Sequence, residues 1–198
     1  MTQTITTRDS LPETARSEYV IDGRASRFTV RAFAAGLLSA MGHNPTIAIR
    51  DFSGGMRFDP GNVEASSFQL TIKASSLAVQ DDIGHKDRRE MERLMNEEVL
   101  ESARYPEIRY DAPVISISRI SEMLYAANLE GELRLHGITR RLPIVARVTL
   151  LGSMLRSSGE FALKQTDFGI KLVSVAGGAL KLKDELKFSF EIVARRQE

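Results

Sequence analysis

The chain has 198 residues, a formal net charge of +1 and no cysteine. Hydrophobic residues make up 42% and charged residues 27% of it, a composition that is typical of a globular domain and argues against wholesale disorder. The balanced charge argues against broad binding to nucleic-acid phosphates, and the lack of cysteine excludes disulfides and thiolate metal sites. We therefore expect one domain and no nucleic-acid partner.

The first 16 residues are polar and rich in threonine. They predict a disordered tail over residues 1–16, followed by a single domain over residues 17–198. The N-terminal segment has no apolar core of a secretory signal, and no run of about 18 apolar residues occurs anywhere in the chain. As written, the sequence predicts a cytoplasmic protein without a membrane span.

From Ser17 onwards the dominant hydrophobic period is two residues. Apolar and polar residues alternate over residues 27–32, 68–75 and 186–193. This alternation indicates β-strands with one dry face and one wet face. An all-β protein follows, with its core formed by one face of each strand.

Two of the predicted strands change their inward-facing parity partway along. The first change falls near Arg50 and Asp51, and the second falls at Pro113. An extra residue in a strand forms a β-bulge, and proline inside a strand is confined to bulges and edges. Because bulges bend strands, these two positions favour a sheet that closes into a barrel.

One segment departs from the period of two. In residues 84–106, GHKDRREMERLMNEEVLESARYP, four apolar residues recur at helical spacing: Met91, Leu94, Met95 and Val99. Acidic residues and arginines occupy the other face. The pattern predicts one amphipathic helix of about three turns.

The segment of residues 132–150, ELRLHGITRRLPIVARVTL, alternates on both sides of a His136–Gly137 pair. A two-residue turn at this pair brings Leu135 opposite Ile138 and places the alternating apolar residues of the two arms on one face. Glycine suits such turns because they require positive φ angles. We interpret His136 as a turn residue, and a catalytic role for it remains the alternative.

The chain contains no common enzyme signature. His43, His85 and His136 are far apart in sequence and lack the spacing of a helical metal-ligand pair. We therefore expect no catalytic residue, no bound metal and no cofactor. Arg140 shares a strand face with Ile138 and Leu142, so it either reaches into a cavity mouth or extends from the barrel end to water.

The two arms around His136 and Gly137 are about 12 to 14 residues long, whereas a usual strand has about 5 to 6. A barrel of about eight such strands is tall and narrow. Gly54 and Gly131 fall at inward positions and are expected to widen its interior. A tall apolar bore suits a long-chain lipid, and a bore filled by its own side chains is the alternative.

These segments together resemble the YceI-like family of polyisoprenoid-binding, lipocalin-like proteins. The resemblance extends from about Ser17 to Ala194 and rests on YVIDGRASRFTVRAF, SAMGHNPTIAIRDFSGGMRFDP, SSL at residues 75–77, YPEIRYDAP, LEGELRLHGITRRLPIVARV and TDFGI. It implies an extended eight-stranded antiparallel β-barrel of lipocalin type, partly closed by one amphipathic helix. It also implies a hydrophobic tunnel that holds an isoprenoid chain, and relatives that are often periplasmic.

We therefore expect the protein to bind, and to store or transport, a long-chain apolar lipid inside the barrel. An enzyme acting on a hydrophobic substrate and a ligand-free stress or structural protein are the alternatives. A homodimer is also possible, with Val145 and Leu151 as exposed apolar residues. The candidate ligand-binding residues are Phe28, Val30, Ile47, Ile49, Phe52, Met56, Phe58, Phe68, Leu70, Ile72, Leu129, Leu133, Leu135, Leu142, Ile144, Phe161, Phe188 and Phe190, with Met91 and Leu94 reaching from the helix into the mouth.

Overall fold

The computed structural model describes residues 17–35, 44–58, 66–175 and 180–197. The predicted tail and His43 lie outside the described residues. Strands dominate the described chain, and their bounds are β1 Ser17–Ile21, β2 Arg27–Arg31, β3 Ala34–Ala35, β4 Thr46–Ile49, β5 Phe52–Phe58, β6 Ser67–Lys73, β7 Leu77–Val79, β8 Glu107–Arg119, β9 Leu124–Leu135, β10 Ile138–Leu151, β11 Met154–Lys164, β12 Ser174–Val175, β13 Leu180–Leu182 and β14 Glu185–Arg196.

Eight strands close into an antiparallel barrel. The hydrogen-bonded order is β1, β5, β6, β8, β9, β10, β11 and β14, and β14 pairs back onto β1. Strand β14 also pairs with β2 along Lys187–Glu191, and β4 and β7 follow β2. The predicted fold class, an eight-stranded barrel of lipocalin type with one amphipathic helix, is confirmed.

Both predicted changes of parity are breaks in the strand geometry. Strand β4 ends at Ile49 and β5 begins at Phe52, so the chain bends at Arg50 and Asp51. In β8, the register with β9 shifts between Asp111 and Val114, on either side of Pro113. These bends allow long, strongly twisted strands to turn the corner of a closed barrel.

The helical segment covers one end of the barrel. Helix α1 spans His85–Leu94 and continues into a π-helical turn over Met95–Val99. The carboxylate of Glu92 accepts a hydrogen bond of 3.0 Å from the backbone N–H of Val79, which ties α1 to strand β7. We call this end of the barrel the helix end. None of the described helices is long and apolar enough to cross a bilayer.

The β9–β10 hairpin has the predicted register. Leu135 faces Ile138, Gly131 faces Leu142 and Leu129 faces Ile144. Its turn lies at the helix end, where His136 and Gly137 have φ angles of 50° and 76°. Two consecutive positive φ angles are those of a type I′ hairpin turn, whose twist matches that of the paired strands.

Strands β10 and β11 pair only along the half of β10 that is remote from the helix end, over Arg147–Leu151. Pro143, in the other half, has no N–H to donate. A 3₁₀ turn over Gln165–Phe168 packs against β10 there, and Arg140 Nε donates to its Asp167 carbonyl at 3.1 Å. The chain that follows this turn reaches the barrel interior, where Ile170 is buried.

Candidate functional site

The interior of the barrel contains an apolar cavity of about 250 Å³. Cores of proteins rarely contain voids much larger than a water molecule, and an engineered cavity of about 150 Å³ already binds benzene. The interior is therefore an open space rather than a packed core. The alternating sequence pattern is compatible with an open bore and with a bore filled by its own side chains, and the cavity favours the open bore.

The cavity extends along most of the barrel. On strand β11 its wall runs from Leu155 to Leu163, a span of about 26 Å at roughly 3.3 Å per residue. Met91 and Leu94 of α1 line it at the helix end, and Ile21 and Ala194 line it towards the opposite end. The space is consequently long in one direction and bounded by the barrel wall in the other two.

The candidate residues are almost all on the wall of this cavity. Contact between these residues and a ligand remains a prediction, whereas their position on the cavity wall is given by the structure. The candidates that line the cavity are Phe28, Val30, Ile47, Ile49, Met56, Phe68, Leu70, Ile72, Met91, Leu94, Leu129, Leu133, Leu135, Leu142, Ile144, Phe161, Phe188 and Phe190.

Phe52 and Phe58 are the two candidates that do not line the cavity. Phe52 begins β5 directly after the bend, and its ring packs edge-on against Phe28 with centroids 4.8 Å apart. The side chain of Phe28, rather than that of Phe52, therefore lines the cavity. Phe58 is the last residue of β5, beyond Met56, and packs against the edge of the core.

The wall also contains residues that sequence reasoning missed. Ala127 and Ala146 face each other across β9 and β10, and both line the cavity. Their inward parity was visible in the sequence, although alanine contributes little to a hydrophobic pattern. The wall also includes Ile170, Val173 and Leu182, which follow the 3₁₀ turn. The sequence there has no hydrophobic period from which an inward side chain could be predicted.

Gly131 does not widen the bore, contrary to our expectation, because Tyr110 fills its place. A Cβ atom at Gly131 would lie 2.4 Å from Tyr110 Cζ. The Tyr110 hydroxyl donates a hydrogen bond of 2.9 Å to the carbonyl of Leu142. Gly54 is filled as well, since a Cβ there would lie 2.2 Å from the Gln69 carbonyl oxygen.

Burial, together with the nearby negative charge of Glu130, raises the pKa of Tyr110 from 10.0 to about 12. The folded state therefore favours the neutral phenol. The contribution of Tyr110 to stability is complete below pH 10 and is lost as the pH rises towards 12. An alkaline absorbance titration should show a tyrosine that ionises near pH 12. The Tyr110→Phe variant should lack the ionisation near pH 12, and an unchanged ionisation there would contradict the assignment.

His136 lies outside the cavity wall and is held by three neighbours. Its ring packs against that of Tyr105 with centroids 4.5 Å apart, and its Nδ1 lies 3.2 Å from the carbonyl oxygen of Phe168. Its Nε2 lies 3.3 Å from Glu101 Oε2 without meeting hydrogen-bond geometry. These contacts join the hairpin turn to the helical segment and to the 3₁₀ turn, as expected for a structural residue.

The positive φ of His136 gives a test of the turn interpretation. Asparagine tolerates this region, whereas a β-branched residue does not. We expect His136→Val to unfold with a free energy about 2 kcal/mol lower than that of His136→Asn, measured by denaturant titration. Both variants lose the imidazole contacts, so the difference between their unfolding free energies reports the backbone strain of a β-branched residue at this position. Equal stabilities would contradict the turn role.

No charged side chain is among the described residues that line the cavity. Arg140 is exposed and bonds to the backbone of the 3₁₀ turn, so it extends to water rather than into the bore. Within the described part of the chain, the polar side-chain groups on the wall come only from Tyr110, Ser157 and Gln165. The Gln165 amide already donates to the Lys183 carbonyl at 3.0 Å. The space therefore favours an uncharged, apolar occupant.

A closed antiparallel barrel around a long apolar cavity defines the class: a lipocalin-like barrel. Comparison with protein families identifies the family within this class. A model of the YceI-like domain matches residues 19–194, and the chain belongs to this family. A UPF0312 protein of Pseudomonas savastanoi pv. phaseolicola is 28% identical over 189 residues, which covers 91% of this chain and 88% of that protein.

Two solved structures share the fold. A polyisoprenoid binding domain from Saccharophagus degradans, implicated in plant cell wall breakdown, has a TM-score of 0.66 at 16% identity and covers 90% of this chain and 98% of that domain. BcnA of Burkholderia cenocepacia has a TM-score of 0.64 at 19% identity, with 87% of this chain and 98% of BcnA covered. At these identities the likeness establishes the barrel alone.

Proposed function

We propose that the barrel binds one long, linear, apolar chain of the polyisoprenoid type in its interior and serves to carry or store it. The observation that carries the proposal is the cavity of about 250 Å³, which no charged side chain lines in the described residues. The YceI-like family and the likeness to a polyisoprenoid binding domain support a binding protein rather than an enzyme.

The shape of the cavity favours a linear ligand over a compact one. The wall extends about 26 Å along strand β11 and paired strands enclose the cavity laterally, so a linear chain can lie along the cavity with most of its length buried. Burial of each CH₂ group stabilises the complex by about 0.8 kcal/mol, so affinity should grow with chain length until the cavity is full.

The polar head group is expected outside the barrel. A charged group inside would lose its hydration, and the described wall offers no ion-pair partner in return. An enzyme that uses His136 as its base finds no support in the geometry, because the imidazole is stacked on Tyr105 and lies away from the cavity wall.

Extraction of the purified protein tests the proposal. Protein isolated from its native host without detergent, then extracted with organic solvent, should release a linear lipid in near-stoichiometric amount. Calorimetric titration of the extracted protein with isoprenoid alcohols of increasing length should give affinities that rise and then level off. A lipid-free extract from a folded barrel, together with no binding of any of these alcohols, would overturn the proposal.

A further inference from the structure

The end of the barrel opposite the helix end has exposed apolar side chains. Ile120 and Met123 in the loop between β8 and β9 are 57% and 53% exposed, and Leu151 at the β10–β11 turn is 38% exposed. The loop and the turn are adjacent, since the backbone N–H of Leu150 donates to the Met123 carbonyl at 3.1 Å. We call these three residues the apolar tip.

Arginines without carboxylate partners surround the apolar tip. Arg119, Arg147, Arg156 and Arg196 are all exposed, and none forms an ion pair with another described residue. Arg119 directly precedes the loop, and Arg196 donates its backbone N–H to the Ser153 carbonyl at 2.8 Å, which places the end of β14 beside the turn.

The helical segment at the other end of the barrel has more acidic than basic residues. Residues 81–104 contain eight acidic residues and five basic ones. The guanidinium of Arg93 lies 2.6 Å from Glu97 and 2.8 Å from Glu90, so its charge is neutralised locally. At the apolar tip, the four arginines without ion pairs outnumber Glu122, the acidic residue of the loop, so the tip itself carries local positive charge.

We propose that the apolar tip docks the barrel onto an anionic membrane surface. Apolar side chains insert at the boundary between head groups and acyl chains, while surrounding arginines pair with anionic head groups. The positive charge around the apolar tip attracts an anionic surface and turns this end of the barrel towards it. Leu155 and Ala194 bring the cavity wall close to the docked end. Docking needs no occupant in the cavity, so it stands independently of the proposed function.

Vesicle flotation with matched pairs of variants tests this proposal. Vesicles of phosphatidylglycerol mixed with phosphatidylcholine should carry the protein upward at low salt, and vesicles of phosphatidylcholine alone should carry it poorly. Replacing two arginines, as in Arg147→Gln with Arg156→Gln, should weaken binding roughly thirtyfold. The control pair, Arg89→Gln with Arg134→Gln, removes two other exposed, unpaired arginines away from the tip and should leave binding unchanged.

A second comparison tests the apolar contribution. Ile120→Ser with Met123→Ser should weaken vesicle binding at least about tenfold. The control Val145→Ser removes a side chain that is 62% exposed on the barrel side, and it should have no effect. Thermal melts of all variants should match the wild type. A cavity-blocked Ala127→Leu variant should still float, which separates failure of docking from failure of ligand binding.

Three outcomes would overturn the proposal. The first is equal binding to both vesicle types, and the second is unchanged binding by both tip variants. The third is a stable dimer in sedimentation that Ile120→Ser with Met123→Ser dissociates, because the apolar tip would then be an interface between two copies.

Discussion

Replacement of Ala127 by leucine is expected to lower the affinity for a long isoprenoid alcohol at least about a hundredfold while leaving the barrel folded. Ala127 is on the cavity wall opposite Ala146, and among the β9 wall residues it lies farthest from the helix end, so its enlarged side chain would project into that part of the bore. A chain that must stop there loses burial of about four CH₂ groups, at about 0.8 kcal/mol each. Calorimetric titration of purified, lipid-free protein measures this loss directly.

Ala126→Leu is the matched control for this experiment. Ala126 precedes Ala127 on the same strand and faces the outer surface, opposite Arg147. Its substitution changes the same residue type by the same volume without entering the cavity, so affinity should be unchanged. Thermal unfolding should show that Ala127→Leu is at least as stable as the wild type, because the new side chain fills empty space. Equal affinities of the two variants would show that the ligand does not occupy the bore.

Gly131→Ala is expected to be among the most destabilising single substitutions in the barrel. The added methyl group would lie 2.4 Å from Tyr110 Cζ and 2.9 Å from the Asp111 carbonyl oxygen. Relief of this overlap must displace a buried ring and the hydrogen bond from its hydroxyl to Leu142. We expect the free energy of unfolding to fall by about 2 to 3 kcal/mol in a denaturant titration.

Two further variants make this prediction specific. Gly23→Ala places the same methyl group 3.7 Å from its nearest neighbour, the Phe52 carbonyl oxygen, and should be nearly neutral. Tyr110→Leu combined with Gly131→Ala should recover part of the loss, because the shorter side chain vacates the position of Tyr110 Cζ. Simple additivity of the two single substitutions would contradict the packing described for this pair.

Much of the fold follows from hydrophobic parity. The register of β9 and β10 could be predicted residue by residue, because one alignment alone places Leu129, Leu135, Ile138 and Ile144 on the same face. The bends at Arg50 and at Pro113 were visible for the same reason, since a strand that changes parity must contain an irregularity. The amphipathic helix was visible from its different period.

The details of the cavity were less accessible from the sequence. Alternation specifies which side chains point inward but not how far they extend, so a packed bore and an open one share one pattern. Tyr110 occupies the space beside Gly131, and the Gln69 backbone occupies the space beside Gly54. Both contacts depend on which strand is the neighbour in the closed barrel. Phe52 has inward parity yet lies off the wall, because the bend before it moves its ring against Phe28.

His136 illustrates how local and tertiary information combine. The sequence pattern indicated a turn, and the φ angle of 50° agrees with that interpretation. The contacts of the imidazole with Tyr105 and with the carbonyl of Phe168 come from segments 31 and 32 residues away and carry no sequence signal of their own. Homodimer formation through Val145 and Leu151 stays a prediction, although both side chains are exposed.

Binding of a single linear chain in the bore can be measured by native mass spectrometry of the lipid-free protein after incubation with equal amounts of a long linear isoprenoid alcohol and a fused-ring sterol. We expect one added mass per folded chain, equal to that of the linear alcohol, and no sterol adduct. Equal uptake of the two lipids, or a folded barrel that retains neither, would contradict a long, narrow, apolar interior that holds a single chain.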